Sequence, residues 1–432
     1  NDSRTNERGR RFHAPRRFGR FSSQSMIVLV AVALVVVPVA MAEFPIEVGR
    51  WYLAAAIDMS LDCDFEGAIG KVDRAISLNP SDPELYQYRA GWKLRTMQLD
   101  SGLDDCDSAR MLLLQSRQMD AKTDKLLESV ASLRSVFLQH LNRHPEAVME
   151  WKQLVSGTDQ THDGRLAHRL NGLAYSRALG KIDLEIGVEE ADRALEILGN
   201  RAVILDPGGY LHFAAGCSAL KNDQKSALMN LSAAAGRAED AYQAADKRAR
   251  ALESGMRNAF RYEERLRVLK PHLAGILAVR ATLLHEIGRG KDAERDRLRM
   301  KELSENGNIS VAEPVDLTKA IQRVMSASNT LDTRGFLYYQ MGDLSAARDD
   351  LVKAVEMAEW AEKAFPWYIE SKKHTILDMR TLERGRELKG LTTAVTRYHR
   401  MLVYEALGMK EEANKDRKAI LAAGHEPGDH LF

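Results

Sequence analysis

The sequence predicts an all-α protein made of helix pairs that stack into a solenoid, preceded by one apolar N-terminal segment. Three observations support this fold class. Hydrophobic residues make up 45% of the 432 residues and charged residues 28%, while glycine (29) and proline (11) are both modest. That composition is typical of a helical protein with a substantial core. Small residues also recur at a fixed spacing, and the C-terminal half repeats itself at an offset of 120 residues.

The N-terminus has the pattern of a membrane anchor. Residues 1–25 contain seven arginines against two acidic residues, and residues 26–42 (MIVLVAVALVVVPVAMA) carry no charge. At about 1.5 Å per residue such a helix spans about 26 Å, slightly less than a hydrocarbon core of ~30 Å. We expect a basic, disordered cytoplasmic tail (1–25) and a single transmembrane helix (26–42), because basic flanks stay in the cytoplasm.

A cleaved signal peptide is the alternative for this segment. The stretch Ala40-Met41-Ala42 fits a small-residue cleavage site, so the chain could be cut after Ala42. The long basic region and the length of the apolar run favour a retained anchor. Both interpretations predict export: a single-pass protein of the bacterial inner membrane with an extracytoplasmic (periplasmic) repeat domain, or a soluble periplasmic protein.

The clearest repeat unit covers residues 328–361. Gly335, Ala347 and Ala354 stand where two antiparallel helices must cross closely, and Gly342-Asp343 supplies the turn between them. A small side chain at each crossing lets the two backbones approach. The same register fits five further units and, less well, two degenerate ones: 49–82, 83–116, 208–241, 274–307 and 394–427, then 122–157 and 165–199.

The units group into two arrays. Repeats that start at 208 and 274 recur at 328 and 394, so blocks 208–307 and 328–427 look like a duplication. The stretches between them, 242–273 and 362–393, read as long charged helices, one divergent repeat each. We expect an N-terminal array over 49–155 and a C-terminal array over 165–432, with hinges at 156–164 and 304–316, where turn-forming residues cluster.

From residue 49 to about 428 the chain resembles the tetratricopeptide-repeat (TPR) family. The shared features are a 34-residue unit, small residues at positions 8, 20 and 27, and a turn glycine near position 15. The resemblance implies a superhelix whose first helices line a concave groove for a peptide or a partner helix. It assigns groove positions to nine residues: Leu53, Ile57, Leu61, Asp332, Phe336, Tyr339, Gln340, Tyr398 and Leu402.

Family members that clamp a carboxylate carry Lys and Asn at two groove positions of a first repeat. Leu53 and Ile57 stand there in this chain, so an apolar groove for a helix or an apolar peptide is expected instead. Packing against neighbouring repeats is the alternative role for each groove residue.

A group of aromatic residues near position 360 is a second candidate surface. It contains Trp360, Phe365, Trp367 and Tyr368, and Pro366 is expected to interrupt the helix that carries them. Two roles are open for Trp360 and Trp367: buried packing at a repeat junction, or an exposed anchor for a partner.

The sequence contains no motif that indicates catalysis, a cofactor or a metal site. It lacks P-loop, GxSxG, HExxH, EF-hand and CxxC patterns, and its three cysteines show no pairing. Its net charge of +1 does not favour nucleic acid. We therefore expect a non-enzymatic, membrane-tethered interaction scaffold that binds a protein or peptide on the extracytoplasmic side. The alternative is a structural subunit of a larger envelope assembly, with the solenoid contacting copies of itself or fixed neighbours.

Overall fold

The computed structural model describes residues 44–115, 120–157, 164–198, 201–251, 257–304, 316–372 and 379–428. Over these ranges the chain is helical and contains no strand. The basic tail (1–25) and the apolar segment (26–42) lie outside the described residues, so the anchor stays a prediction. No helix within the described ranges is long and apolar enough to cross a membrane.

Most of the described helices pack on the next helix along the chain. In the first half they are α1 (44–61), α2 (Phe65–Leu78), α3 (Pro83–Arg95), α4 (Leu99–Gln115), α5 (Ala121–His140), α6 (His144–Ser156), α7 (Gly164–Gly180) and α8 (Leu184–Leu198). In the second half they are α9 (Arg201–Leu205), α10 (Pro207–Ala219), α11 (Gln224–Ala251), α12 (Arg257–Glu286), α13 (Gly290–Leu303), α14 (Leu317–Met341), α15 (Leu344–Lys372), α16 (Met379–Ala406) and α17 (Lys410–Ala422).

Each predicted unit is a helix pair joined by a tight turn, which confirms the all-α, TPR-like prediction. The turn residue is left-handed in every unit whose glycine was expected there: φ is +82° at Gly342, +79° at Gly288 and +73° at Gly408. Glycine adopts this conformation without steric cost. The second helix of the first unit is capped by Asp64, whose carboxylate accepts a hydrogen bond from the N–H of Gly67 at 2.9 Å.

Small residues at the helix crossings are fully buried, as the repeat pattern requires. Ala68, Ala227, Ala347 and Ala354 are all inaccessible to solvent. At the crossing of α14 and α15, a Cβ on Gly335 would lie 2.7 Å from Cγ of Leu351 and 3.2 Å from the carbonyl oxygen of Ala347. Side chains larger than hydrogen would therefore push these two helices apart.

An arginine fork joins the two helices of four pairs. In each fork, Nε and Nη2 of an arginine on the first helix donate to the two carboxylate oxygens of an aspartate sixteen residues later, at 2.6–2.9 Å. This parallel geometry combines charge with two aligned hydrogen bonds, which makes a buried ion pair stable. The forks are Arg89–Asp105, Arg280–Asp296, Arg334–Asp350 and Arg400–Asp416.

The pairs are not arranged in space in their chain order. Helices α1–α8 stack as four successive pairs, but α7 and α8 then pack against α14, and α15 packs against α16. Leu337 of α14 fits against Gly187 of α8, where a Cβ would lie 2.8 Å from its Cδ2 atom. Six pairs, α1–α8 and α14–α17, thus form one array, which we call the main array. Helices α9–α13 are a side block inserted between its fourth and fifth pairs.

The side block docks on extensions of α14 and α15. Helix α14 begins at Leu317, before the predicted repeat start at 328, and α15 continues beyond the predicted repeat end at 361. A single core cluster joins α9 and α10 to these extensions; its members include Tyr210, Leu211, Ile321 and Val324. The duplicated second block therefore belongs to the main array, while the first block lies beside it.

The Trp360–Trp367 group lies at this docking contact. His212 of α10 contacts both rings, with centroids 5.6 Å from Trp360 and 4.7 Å from Trp367. The guanidinium of Arg237 lies 4.6 Å from the Trp360 ring centroid and binds the buried carboxylate of Asp206 at 2.9 Å. Of the two predicted roles, the contacts correspond to junction packing.

Two expectations about the long helices were wrong. The stretches 242–273 and 362–393 do not form a divergent repeat each, because α11, α12, α15 and α16 simply extend through most of them as long helical hairpins. Pro366 does not interrupt its helix either, since α15 is continuous to Lys372. Proline costs about 3 kcal/mol in a helix, and burial of Ala361, Ala364 and Phe365 offsets that cost.

The predicted hinges fall largely outside the described residues, at 158–163 and 305–315. Helices α6 and α7 pack on each other across the first of them. The hinges at these two points, and the division into an N-terminal and a C-terminal array at the first of them, stay predictions.

Removing one member of a fork should destabilise the chain strongly. Asp296→Asn leaves the Arg280 guanidinium without its buried carboxylate, and we expect unfolding free energy to fall by about 3 kcal/mol. The matched control is Glu294→Gln on the same helix, whose pair with Arg297 is exposed and contributes about 0–1 kcal/mol. Urea unfolding followed by circular dichroism compares the two variants. Equal midpoints would show that the fork does not hold the pair together.

Adding a single methyl group to the glycine at the helix crossing should destabilise the chain. Gly335→Ala is expected to destabilise by about 1–3 kcal/mol, because the added methyl group overlaps Leu351 and the α15 backbone. Gly70→Ala on the exposed face of α2 is the control, since a Cβ there meets no atom within 4 Å. That control should gain about 0.5–1 kcal/mol from helix propensity. Thermal unfolding of both variants measures the difference, and stabilisation by both would contradict the close crossing.

Candidate partner-binding groove

The first helices of the main array lie side by side and line a concave groove. Between α1, α3, α5 and α7 it encloses a volume of about 1020 Å³. We call this part the array groove. Its lining residues are Ile57, Ser60, Gln87, Tyr88, Gly91, Trp92, Leu94, Arg95, Met97, Lys125, Glu128, Ser129, Ser132, Leu133, Val136, His140 and His168.

The floor of the array groove is apolar and open. Tyr88 and Trp92 lie next to each other with ring centroids 5.7 Å apart, and Leu94 and Leu133 extend the apolar surface. Gly91 stands among them, and a Cβ on it would meet no heavy atom within 4 Å. The groove therefore has room for side chains from another molecule at its centre.

The charges that line the array groove are mostly positive. Arg95 and Lys125 are exposed, and neither forms an ion pair within the described part of the chain. The acidic residue of the lining, Glu128, is bound by Arg169 at 3.2 Å. Gln87 donates to Ser129 at 2.9 Å and so links α3 to α5 across the floor. A bound segment with acidic groups would meet these two cations, which form no ion pair with another described residue.

A second cavity, of about 580 Å³, lies where α14 and α16 meet the turns after α5 and α7. We call it the junction pocket. His140 lines both cavities, so the junction pocket adjoins the array groove. Its lining residues are Gln139, His140, Asn142, His144, Leu179, Lys181, Phe336, Tyr339, Gln340, Tyr398 and Leu402.

The inner wall of the junction pocket is held by a buried contact between α14 and α16. The Phe336 ring stacks on His399 with centroids 4.3 Å apart, and Nδ1 of His399 lies 2.9 Å from Oδ1 of Asp332. Phe336 is 3% exposed and Tyr398 6% exposed. These aromatic side chains are fixed by packing before any ligand arrives.

The two histidines of the pocket are neutral at pH 7. Burial lowers the pKa of His140 and of His144 below the ordinary value of an imidazole. They therefore contribute hydrogen-bonding atoms, and the positive charge of the lining comes from Lys181.

The structure gathers five of the predicted groove residues in one place. Phe336, Tyr339, Gln340, Tyr398 and Leu402 all line the junction pocket. The burial of Phe336 and Tyr398 means that only small parts of these two side chains face it. Their role in binding stays a prediction.

The remaining predicted residues are spread over the molecule. Ile57 lines the array groove, Leu53 packs partly buried in the core of the first pair, and Leu61 is half-buried at the end of α1. Asp332 lies behind the junction pocket, 6% exposed. Trp360 and Trp367 lie at the side-block contact.

Several residues that line the array groove were not predicted from the sequence. Gln87, Gly91, Leu94 and Arg95 occupy positions 5, 9, 12 and 13 of the unit 83–116, the same register that singled out Ile57. The register could therefore have found them. Lys125 and Lys181 had no such signal, since they belong to the two degenerate units.

No family model matches the chain, and no curated protein matches its sequence. Solved structures with which it aligns include a tetratricopeptide repeat protein from Parabacteroides merdae (13% identity, TM-score 0.29, 74% of this chain and 98% of that one). Yeast Tom70 aligns at 13% identity and TM-score 0.23, over 87% and 76% of the two chains. The Cut9–Hcn1 hetero-tetramer of the APC/C aligns at 12% and 0.27, over 93% and 82%.

With TM-scores below 0.5, these likenesses carry no argument about what this chain does. Its repeat architecture rests on its own helix pairs, crossings and turns.

Proposed function

We propose that the chain is a protein-interaction scaffold that holds a segment of a partner protein in the array groove. The observation that carries the proposal is the open space beside Gly91, over a floor of Tyr88, Trp92 and Leu94. An apolar concavity of this size at the centre of a helical array fits a peptide or one face of a helix. The proposal is one of binding, without catalysis.

We further propose that the scaffold is tethered to the bacterial inner membrane and acts on its extracytoplasmic side. The support is the sequence alone: seven arginines before an uncharged run of seventeen residues, followed by Glu43 and Glu47. The described part of helix α1 lies close after this run in the sequence, so the array groove would begin close to the membrane surface. A soluble periplasmic form after cleavage at Ala42 would present the same groove.

Filling the groove tests the proposal. Gly91→Trp places a large side chain into the open space while leaving the helix contacts of α3 intact, and we expect it to abolish capture of the partner. Gly70→Trp on the exposed face of α2 is the matched control, because its Cβ also meets no atom within 4 Å. In-cell crosslinking with a C-terminal tag, followed by mass spectrometry, identifies the proteins captured by each variant.

A partner captured by the wild-type chain and by Gly70→Trp, and lost from Gly91→Trp, would support the groove. Equal capture by all three chains would contradict it. Recovery of only the chain itself, unchanged in all three, would favour a structural subunit of a larger envelope assembly.

A further inference from the structure

We infer that the junction pocket is a specificity site for an acidic residue that stands beside a large apolar residue in the bound segment. The inference deepens the proposed function and rests on it. The acidic residue and its apolar neighbour would lie where the partner segment leaves the array groove.

The pocket is a product of the insertion. Its outer wall comes from the turns after α5 and α7, and its inner wall from α14 and α16. These walls meet because α14 packs directly on α7 and α8. Since His140 belongs to both cavities, one extended segment can occupy the array groove and continue into the junction pocket.

The charge of the lining selects an anion. Lys181 is the cation of the lining, no aspartate or glutamate is among the lining residues, and Lys181 has no ion pair within the described ranges. His140 and His144 offer neutral imidazoles. An incoming carboxylate would therefore gain a charged partner, at an exposed lysine, without displacing an existing one.

The inner wall selects an apolar neighbour for that carboxylate. Phe336 and Tyr398 line this wall with the small parts of their side chains that remain exposed, and Leu402 lines it with them. Because the Phe336 ring is stacked on His399, little side-chain freedom is lost when a ligand contacts it. Gln340 adds an amide that can hydrogen-bond to the backbone of the segment.

The test is a selection of random displayed peptides on the full chain, followed by affinity measurements on the selected peptides. We expect enrichment of peptides with an aspartate or glutamate next to a large apolar residue. Lys181→Glu should weaken their binding tenfold or more, and Lys181→Arg should stay close to wild type. The control is Lys221→Glu, since Lys221 is an exposed lysine in the turn between α10 and α11, away from both cavities.

Three results are distinguishable. Acid-containing peptides that lose affinity in Lys181→Glu, and keep it in Lys221→Glu, would support the inference. Some peptides could lose affinity for Gly91→Trp and either keep their affinity for Lys181→Glu or contain no acidic residue. That result would overturn the specificity site and leave the groove proposal standing. No selected peptides at all would overturn both.

Discussion

The close crossing of the two helices in each pair is the constraint on which the rest of the structure depends. Alanine or glycine at the crossing lets the backbones approach, and Gly335 shows how little room remains, with Leu351 Cγ only 2.7 Å from its missing Cβ. At that distance the arginine of the first helix can reach the aspartate of the second with both Nε and Nη2. In four pairs such a fork joins the two helices, and the pairs stack on one another.

Stacking explains why an insertion does not interrupt the groove. The fifth pair of the main array does not follow α7 and α8 in the sequence, but it packs on them in the way that the next pair of a continuous array would. The contact of Leu337 with Gly187 is part of this packing. The side block takes no part in it. It docks instead on the extra turns of α14 and α15, where Trp360, Arg237 and Asp206 form a partly buried contact. The first helices of all six pairs thereby remain on the same side of the main array.

The helix pairs could be predicted from the sequence because their determinants are local. Small residues at fixed positions and turn glycines such as Gly342 identify each unit. The forks were not predicted, although each joins an arginine and an aspartate that stand sixteen residues apart in the sequence. The insertion could not be predicted, because the sequence pattern around Leu337 does not indicate which helix pair it packs on. The same holds for the junction pocket: Phe336 and Tyr398 were named, but Lys181 and His140 reach them only through tertiary contacts.

In the main array, α14 packs directly on α8 and continues the array from it. A photo-reactive benzophenone amino acid at position 192 tests it most directly, because Asp192 is an exposed residue of α8 whose carboxylate contacts Arg334 of α14. After illumination, mass spectrometry identifies the crosslinked peptide. We expect crosslinks to α14 around Arg334. Crosslinks to α10 in their place would show that the pairs stack in chain order, and the continuous groove and its junction pocket would then not exist.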